Sequence, residues 1–292
     1  MRRATPLETV FVTVPALAVP AYEAAMAEAC VAVGMFIADE AAGTWRVEGV
    51  KPVGDSPELL AGLAMAELAS GVSAELHRED TDADGWLARV YEGFPEQLIG
   101  KRFAVRGTHV AEHRTAGRFT LLLDAGLAFG SGEHGSTRGC LRALERLAHR
   151  RPLRVLDMGC GSGILAMGAA ALLKRRVLAV DIDPWSVRVS RQNAALNGLS
   201  KLMACKLGNG WHAAALQGRE FDLVFANILA RPLCLMAKHL AAHLAPGGTA
   251  ILAGLLDTQV RAVLAAHRRQ GLRLERVLCE GNWRTLVLRA PK

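Results

Sequence analysis

The stretch VLDMGCGSGILA, residues 155–166, decides how the chain is read. An apolar run ends in an acid, Asp157. Gly159, Gly161 and Gly163 then alternate, and an apolar helix-like run follows. Glycines in that pattern let backbone approach a ligand with no Cβ in the way. A strand that leads through such a loop into a helix is the first unit of a doubly wound sheet, where ligands bind at the strand ends. The next strand-like run ends in Asp181, 22 residues after Gly159. An acid there is placed to accept hydrogen bonds from ribose hydroxyls. Asp157 has two readings, a hydrogen-bond acceptor for loop amides or a cap for the turn.

Spacing separates the possible ligands. Dinucleotide loops read G-x-G-x-x-G/A, which asks for a small residue at 164, where this chain has Ile164; the glycine falls at 163 instead. A literal G-x-G-x-x-G does occur earlier, at 130–135 inside FGSGEHGST, residues 129–137. The strand-like run before it ends near Asp124, too early for a tight strand–loop–helix turn. An NAD-dependent oxidoreductase built on that stretch is the rival enzyme class.

Outward from residue 155 the pattern alternates. Strands are expected at 154–157, 177–181, 203–206, 221–226 and 249–253, with helices near 163–173, 185–196, 231–244 and 257–269. Alternation of this kind specifies a parallel sheet covered on both faces. Residues 272–278 and 283–288 read instead as two strands joined by a short turn at Gly281-Asn282, which places an antiparallel strand at the end of the sheet. Before the glycine loop, 102–106 and 119–123 read as strands and 137–149 as a helix. Asp183-Pro184 reads as a helix N-cap and first helical position.

The first 80 residues differ. Strands at 8–14, 33–37, 44–50 and 72–76 interleave with helices at 17–31 and 58–68, the second capped by Ser56-Pro57. The order β-α-β-β-α-β is that of a ferredoxin-like module. The polar run from Arg78 to Gly85 reads as the start of a linker, with a short helix at 86–94. The expected domains are 1–79, a linker at 80–100, and 101–292. Charge divides in the same place. Residues 1–80 hold 5 Lys/Arg against 12 Asp/Glu, and residues 81–292 hold 30 against 16. An acidic small domain suits a basic macromolecular partner.

The D-x-G-x-G-x-G spacing, the acid at 181 and the terminal hairpin together resemble the class I S-adenosylmethionine-dependent methyltransferases. The stretches LLLDAGLAFGSGEHGSTRGCL, VLDMGCGSGILAMGAA, AVDIDPWSVRVSRQNAALNG and ANILARPL look like the PrmA family, which methylates ribosomal protein L11 of the large subunit. The likeness runs from about Trp86 to the C-terminus. It implies an α/β fold, a Rossmann-like class I sheet with an antiparallel last strand, preceded by a small α+β ferredoxin-like substrate-recognition domain. It also implies S-adenosyl-L-methionine as cofactor, methylation of lysine side chains and the α-amino group, and cofactor contacts at Thr137, Gly159, Gly161, Asp181 and Asn227. Asn227 ends a strand, where its carbonyl can accept an N–H from an amine and orient the lone pair. The family often has proline after Asp124 and after His134, where this chain has Ala125 and Gly135. The glycines of 129–137 then read as a lid over a cofactor held elsewhere, with Ser136 or Thr137 capping the next helix. A lysine of the electron-transfer flavoprotein β subunit is the alternative target, and a non-catalytic ribosomal-protein-binding factor is the non-enzymatic one.

The remaining features carry less. HVAEH at 109–113 spells an inverted zinc-protease pattern without the helix that chemistry needs, so no metal is expected. Arg138, Arg142, Arg146 and Arg150 recur every four residues, a solvated helix face or, as the lesser reading, an RNA contact. Lys174-Arg175-Arg176 reads as a complement to a helix dipole. Six scattered cysteines form no C-x-x-C pair and read as buried reduced thiols, Cys160 included. With no signal-like or membrane-spanning run, a cytoplasmic protein without DNA or membrane partners is expected.

Overall fold

The structure is a computed structural model describing residues 7–30, 32–39, 42–80, 96–108, 115, 117–123 and 135–292. The chain forms two compact units, Met1–Val90 and Tyr91–Lys292.

In the first unit, strands β1 (Leu7–Pro15), β2 (Ala32–Asp39), β3 (Thr44–Pro52) and β4 (His77–Asp80) form one sheet in the order β2-β3-β1-β4. Every pairing is antiparallel. Helices α1 (Val19–Ala29) and α2 (Pro57–Ser70) complete it. Val10, Val12 and Val14 alternate along β1 into a core shared with Tyr22, Met26 and Leu59, the period-2 pattern of a half-buried strand. Ser56 caps α2, its hydroxyl accepting the Leu59 N–H at 3.3 Å.

One strand lies elsewhere than its sequence suggests. Residues 72–76 pair with no described strand; Val72, Ala74 and Leu76 pack against the small core. The edge strand is β4, His-Arg-Glu-Asp, with all four residues exposed. Hydrogen bonding to β1 makes it a strand, and an exposed edge needs no apolar alternation. It occupies the start of the run expected as linker. The helix expected at 86–94 lies outside the described residues.

The second unit holds a seven-stranded sheet: β8 (Val155–Met158), β9 (Val177–Asp181), β10 (Met203–Leu207), β11 (Phe221–Asn227), β12 (Leu244–Leu256), β13 (Arg273–Glu280) and β14 (Trp283–Arg289). The order is β10-β9-β8-β11-β12-β14-β13. The five strands from β10 to β12 are parallel, and β14 runs antiparallel to both neighbours. The order reverses between β8 and β11, the kind of switch point at which doubly wound sheets bind ligands.

Helices α3 (Gly135–Leu147), α4 (Ile164–Leu173), α5 (Pro184–Leu196), α6 (Ala230–His243) and α7 (Val260–Arg268) cover the sheet. Val155, Ala179 and Phe225 face a core with α3, α4 and α5. Leu156, Val180 and Val224 face the opposite core, with Leu233 and Leu240 of α6 and Val263 of α7. Strands buried on both sides explain why these segments read as continuous apolar runs. A second sheet, β5 (Gln97–Ile99), β6 (Phe103–Gly107) and β7 (Phe119–Leu123), joins the first of these cores through Ile99, Phe103 and Leu121. Strand β5 lies within the range read as linker. Asn197, just after α5, clamps β7 by accepting the Leu122 N–H at 2.8 Å and donating to its carbonyl at 2.7 Å.

Candidate active site

Strand β8 is short and central, and the loop after it is held in one shape. Gly159, Gly161 and Gly163 have φ of 68°, 51° and 80°, left-handed values that glycine alone adopts without strain. A Cβ on Gly159 would lie 2.5 Å from Ile228 Cγ2, and one on Gly163 would lie 2.8 Å from Ser190 Oγ. The loop therefore presses against the segment after β11 on one side and against α5 on the other. The Gly159 and Cys160 N–H groups donate to the Val180 carbonyl at 2.8 and 3.2 Å. Ser190 Oγ donates to the Gly161 carbonyl at 2.9 Å, and Asn193 Nδ2 to the Ser162 carbonyl at 2.9 Å.

Asp181, at the end of β9, accepts the Gly161 N–H on Oδ2 at 2.9 Å and the Asp183 N–H on Oδ1 at 3.0 Å. It thus fixes the loop, and each carboxylate oxygen keeps lone-pair capacity for a ligand hydroxyl. Asp183 caps α5, accepting from the Trp185 and Ser186 amides at 3.1 and 2.8 Å.

Asp157 resolves toward capping. Its Oδ2 accepts the Ala166 N–H at 3.0 Å, in the first turn of α4. Its Oδ1 is buried without a hydrogen-bond partner among the described residues. Burial pushes this carboxyl up to about 7, against the lowering effect of the Ala166 hydrogen bond.

Asn227 ends β11, half-buried. Its Nδ2 donates to Thr137 Oγ1 at 3.4 Å, and Thr137 is 1% exposed in the first turn of α3. No described residue partners the Asn227 carbonyl oxygen. Beyond it Leu229 is 75% exposed, and Ile182, after Asp181, is 64% exposed. These two give the strand-end surface an apolar rim.

Thr137, Gly159, Gly161, Asp181 and Asn227 therefore all lie at the carboxyl end of the sheet. Ser136 and Thr137 are inside α3, not at its cap, because the helix starts at Gly135. That glycine is a packing residue: a Cβ there would lie 2.8 Å from the Glu280 carbonyl and 2.9 Å from the Trp283 ring. The rest of the literal glycine motif, at 130–134, and the HVAEH stretch lie outside the described residues. Ser190 and Asn193 were missed from sequence; two buried polar residues three apart on a helix are their only signal.

The arginine stripe is partly solvated: Arg146 is exposed, while the other three arginines are ion-paired. Arg138 and Arg142 both pair with Glu280, the first at 3.4 Å, and Arg150 pairs with Glu275 at 2.9 Å. These bonds tie α3 and the turn after it to β13. Lys174 has φ 55° and ends α4, its ammonium 5.0 Å from the Phe119 ring centroid. All six thiols are free, but only Cys140, Cys160 and Cys205 are buried, and Cys279 is exposed. Cys160 Sγ lies 3.3 Å from Ser190 Oγ, and burial raises its thiol well above the usual range, the opposite of the setting that activates a thiolate.

The family model described as ribosomal protein L11 methyltransferase (PrmA) matches residues 44–291. A protein of that name from Rhizobium leguminosarum bv. trifolii is 38% identical over 262 residues, 89% of each chain. One from Rhizobium rhizogenes is 44% identical over 208 residues, 70% of this chain and 71% of that one. Among solved structures, ribosomal protein L11 methylase from Lactobacillus delbrueckii subsp. bulgaricus aligns with TM-score 0.60 and 30% identity, covering 68% of this chain and 99% of that one.

Proposed function

The chain belongs to the ribosomal protein L11 methyltransferase family, and we propose that it methylates lysine and α-amino nitrogens of ribosomal protein L11 at the carboxyl end of its seven-stranded sheet. The observation that carries this reading is the Asn227 amide, held through Nδ2 by Thr137, its carbonyl unpartnered among the described residues, beside the loop at Gly159.

The residues suit S-adenosylmethionine. Asp181 offers acceptors for ribose hydroxyls, the left-handed loop exposes backbone, and Asp157 Oδ1 is a buried polar atom without a partner among the described residues. A dinucleotide's pyrophosphate is poorly served, since Ile164 stands where its loop needs a small residue. When bound, the cofactor supplies an electrophilic methyl group on a sulfonium. The protein's part is positioning. Asn227 Oδ1 accepts an N–H of the neutral amine and turns its lone pair toward the methyl group. Ile182 and Leu229 are exposed apolar side chains at the strand ends, and a substrate docked over them would exclude water and favour the uncharged amine. No strong base is required, because the proton lost from the ammonium product leaves to solvent.

The acidic first unit receives the basic protein substrate in this reading, and the protein works in the cytoplasm. Among the described residues no helix is long and apolar enough to cross a membrane. The test is labelled methyl transfer to free L11, with electron-transfer flavoprotein and ribosomal RNA as parallel substrates.

A further inference from the structure

The opposite end of the sheet has a charge pattern that methyl transfer does not use. Strands β10, β9, β8 and β11 are consecutive neighbours and parallel, so the residues just before them share one edge. Those residues are Lys201, Arg175 and Arg176, Arg151 and Arg154, and Arg219, all exposed. At about 4.8 Å per strand the four starts span about 15 Å. An open concavity of about 590 Å³ lies there, lined by Arg154, Arg176, Arg219, Glu220, Leu153 and Phe221, among others.

Little neutralises this edge. Arg154 takes Asp222 at 2.9 Å and Glu220 at 3.9 Å. The other five cations have no ion pair among the described residues. Helix dipoles do not account for them: a helix end is complemented by a cation within its last turn, whereas Arg175 and Arg176 lie beyond the Lys174 cap and Arg219 follows no α-helix end. Five of the six cations are arginines, whose planar forks match phosphate oxygens in pairs. The surface is concave, and of its lining residues Leu153 alone is a large exposed apolar side chain, which does not suit insertion into a lipid surface.

We propose that this basic edge docks the phosphate backbone of RNA while the far end of the sheet performs methyl transfer. The choice of RNA over other polyanions rests on the ribosomal-protein reading above; the phosphate chemistry rests on the edge itself.

Fluorescence anisotropy with a labelled 20-nucleotide RNA hairpin, across a potassium chloride series, tests it. The full chain is expected to bind with steep salt dependence. The variant R175E/R176E/R219E is expected to bind at least tenfold more weakly at 100 mM salt, with a log–log slope smaller by about two. A charge-matched control, R188E/K238E/R261E, on α5, α6 and α7, is expected to bind within about threefold of wild type, the residual reflecting net charge alone. Thermal unfolding reports whether each variant folds, and single substitutions at Arg176 and Arg219 replace a triple variant that does not. Equal loss in both triple variants, unchanged binding in the edge variant, or equal affinity for polyglutamate or phosphatidylserine vesicles would overturn the proposal. Methyl transfer to free L11 is expected to be unchanged in the edge variant. Absence of that activity in the wild type would count against the proposed reaction, whatever the RNA result.

Discussion

Asn227 Nδ2 and Thr137 Oγ1 lie 3.4 Å apart, joining the end of β11 to the first turn of α3. In this arrangement the amide nitrogen donates to the threonine hydroxyl. With its nitrogen turned to Thr137, the amide's carbonyl has no partner among the described residues, and the proposed reaction gives it the incoming amine. The Thr137 hydroxyl, accepting this bond, still has its own hydrogen to donate.

Thr137→Val keeps the buried shape and removes both functions of the hydroxyl. We expect weaker S-adenosylmethionine binding by calorimetry and kcat lower by roughly tenfold, about the worth of one hydrogen bond. Asn227→Ala should lower kcat by about a hundredfold, as loss of an oriented polar group does, with a smaller change in cofactor affinity. Unchanged kcat in both variants would reduce the pair to a structural contact.

Gly159→Ala brings together a left-handed φ of 68° and a Cβ 2.5 Å from Ile228 Cγ2. The strain of the dihedral alone is about 1–3 kcal/mol. The loop must shift, and cofactor affinity should fall by tenfold or more while the fold persists. Asp181→Asn should weaken binding too, because an amide nitrogen must then face either the Gly161 or the Asp183 N–H. Calorimetry on both variants, with circular dichroism as the control for folding, distinguishes a cofactor loop from a structural turn.

Much of this geometry was legible in the sequence because it is local. Alternating glycines, the acid ending the next strand and the Asp183-Pro184 cap each act within a few residues. The buried parallel strands announce themselves as apolar runs. What was not legible depends on partners distant in the chain. Strand β4 is polar and exposed, so its pairing with β1 leaves no pattern, while the apolar residues 72–76 packed without pairing. Arg138 and Arg142 looked like a solvated stripe because Glu280 lies about 140 residues away. Thr137 looked like a cap because α3 starts two residues earlier than its apolar pattern, at a glycine chosen by β13 and β14.

Asp157 gives a pH signature. Its carboxyl is raised by burial from 3.8 to about 7, so the folded state holds this proton more tightly than the unfolded chain. Between those values stability falls as pH rises, by at most about 1.4 kcal/mol per pH unit, and levels off above about pH 7. Asp157→Asn can keep the acceptor for Ala166 and removes the titration. Urea unfolding from pH 4.5 to 8 should show a shallower decline for the variant than for wild type. Parallel curves would contradict the assignment.

Lys51 and Glu8 make a buried pair in the first unit, 2.6 Å apart, with Lys51 also donating to the Pro52 and Gly54 carbonyls at 2.8 and 2.6 Å. The Lys51 hydrogen bond holds the Glu8 carboxyl below its usual range despite burial. Lys51→Met leaves Glu8 with the longer Arg78 contact at 3.5 Å and the Gly54 N–H at 3.2 Å. We expect a loss of about 3 kcal/mol, read as faster amide exchange in β1 and β3. Adding Glu8→Gln should recover much of it; no recovery would mean the pair contributes only packing.

The most direct measurement is transfer of labelled methyl groups from S-adenosylmethionine to free ribosomal protein L11, with the modified positions read by mass spectrometry. The account predicts label on lysine and α-amino nitrogens of L11 with wild-type protein, and about a hundredfold slower transfer with Asn227→Ala. Cofactor binding without label on L11, or equal rates from the two proteins, would contradict it.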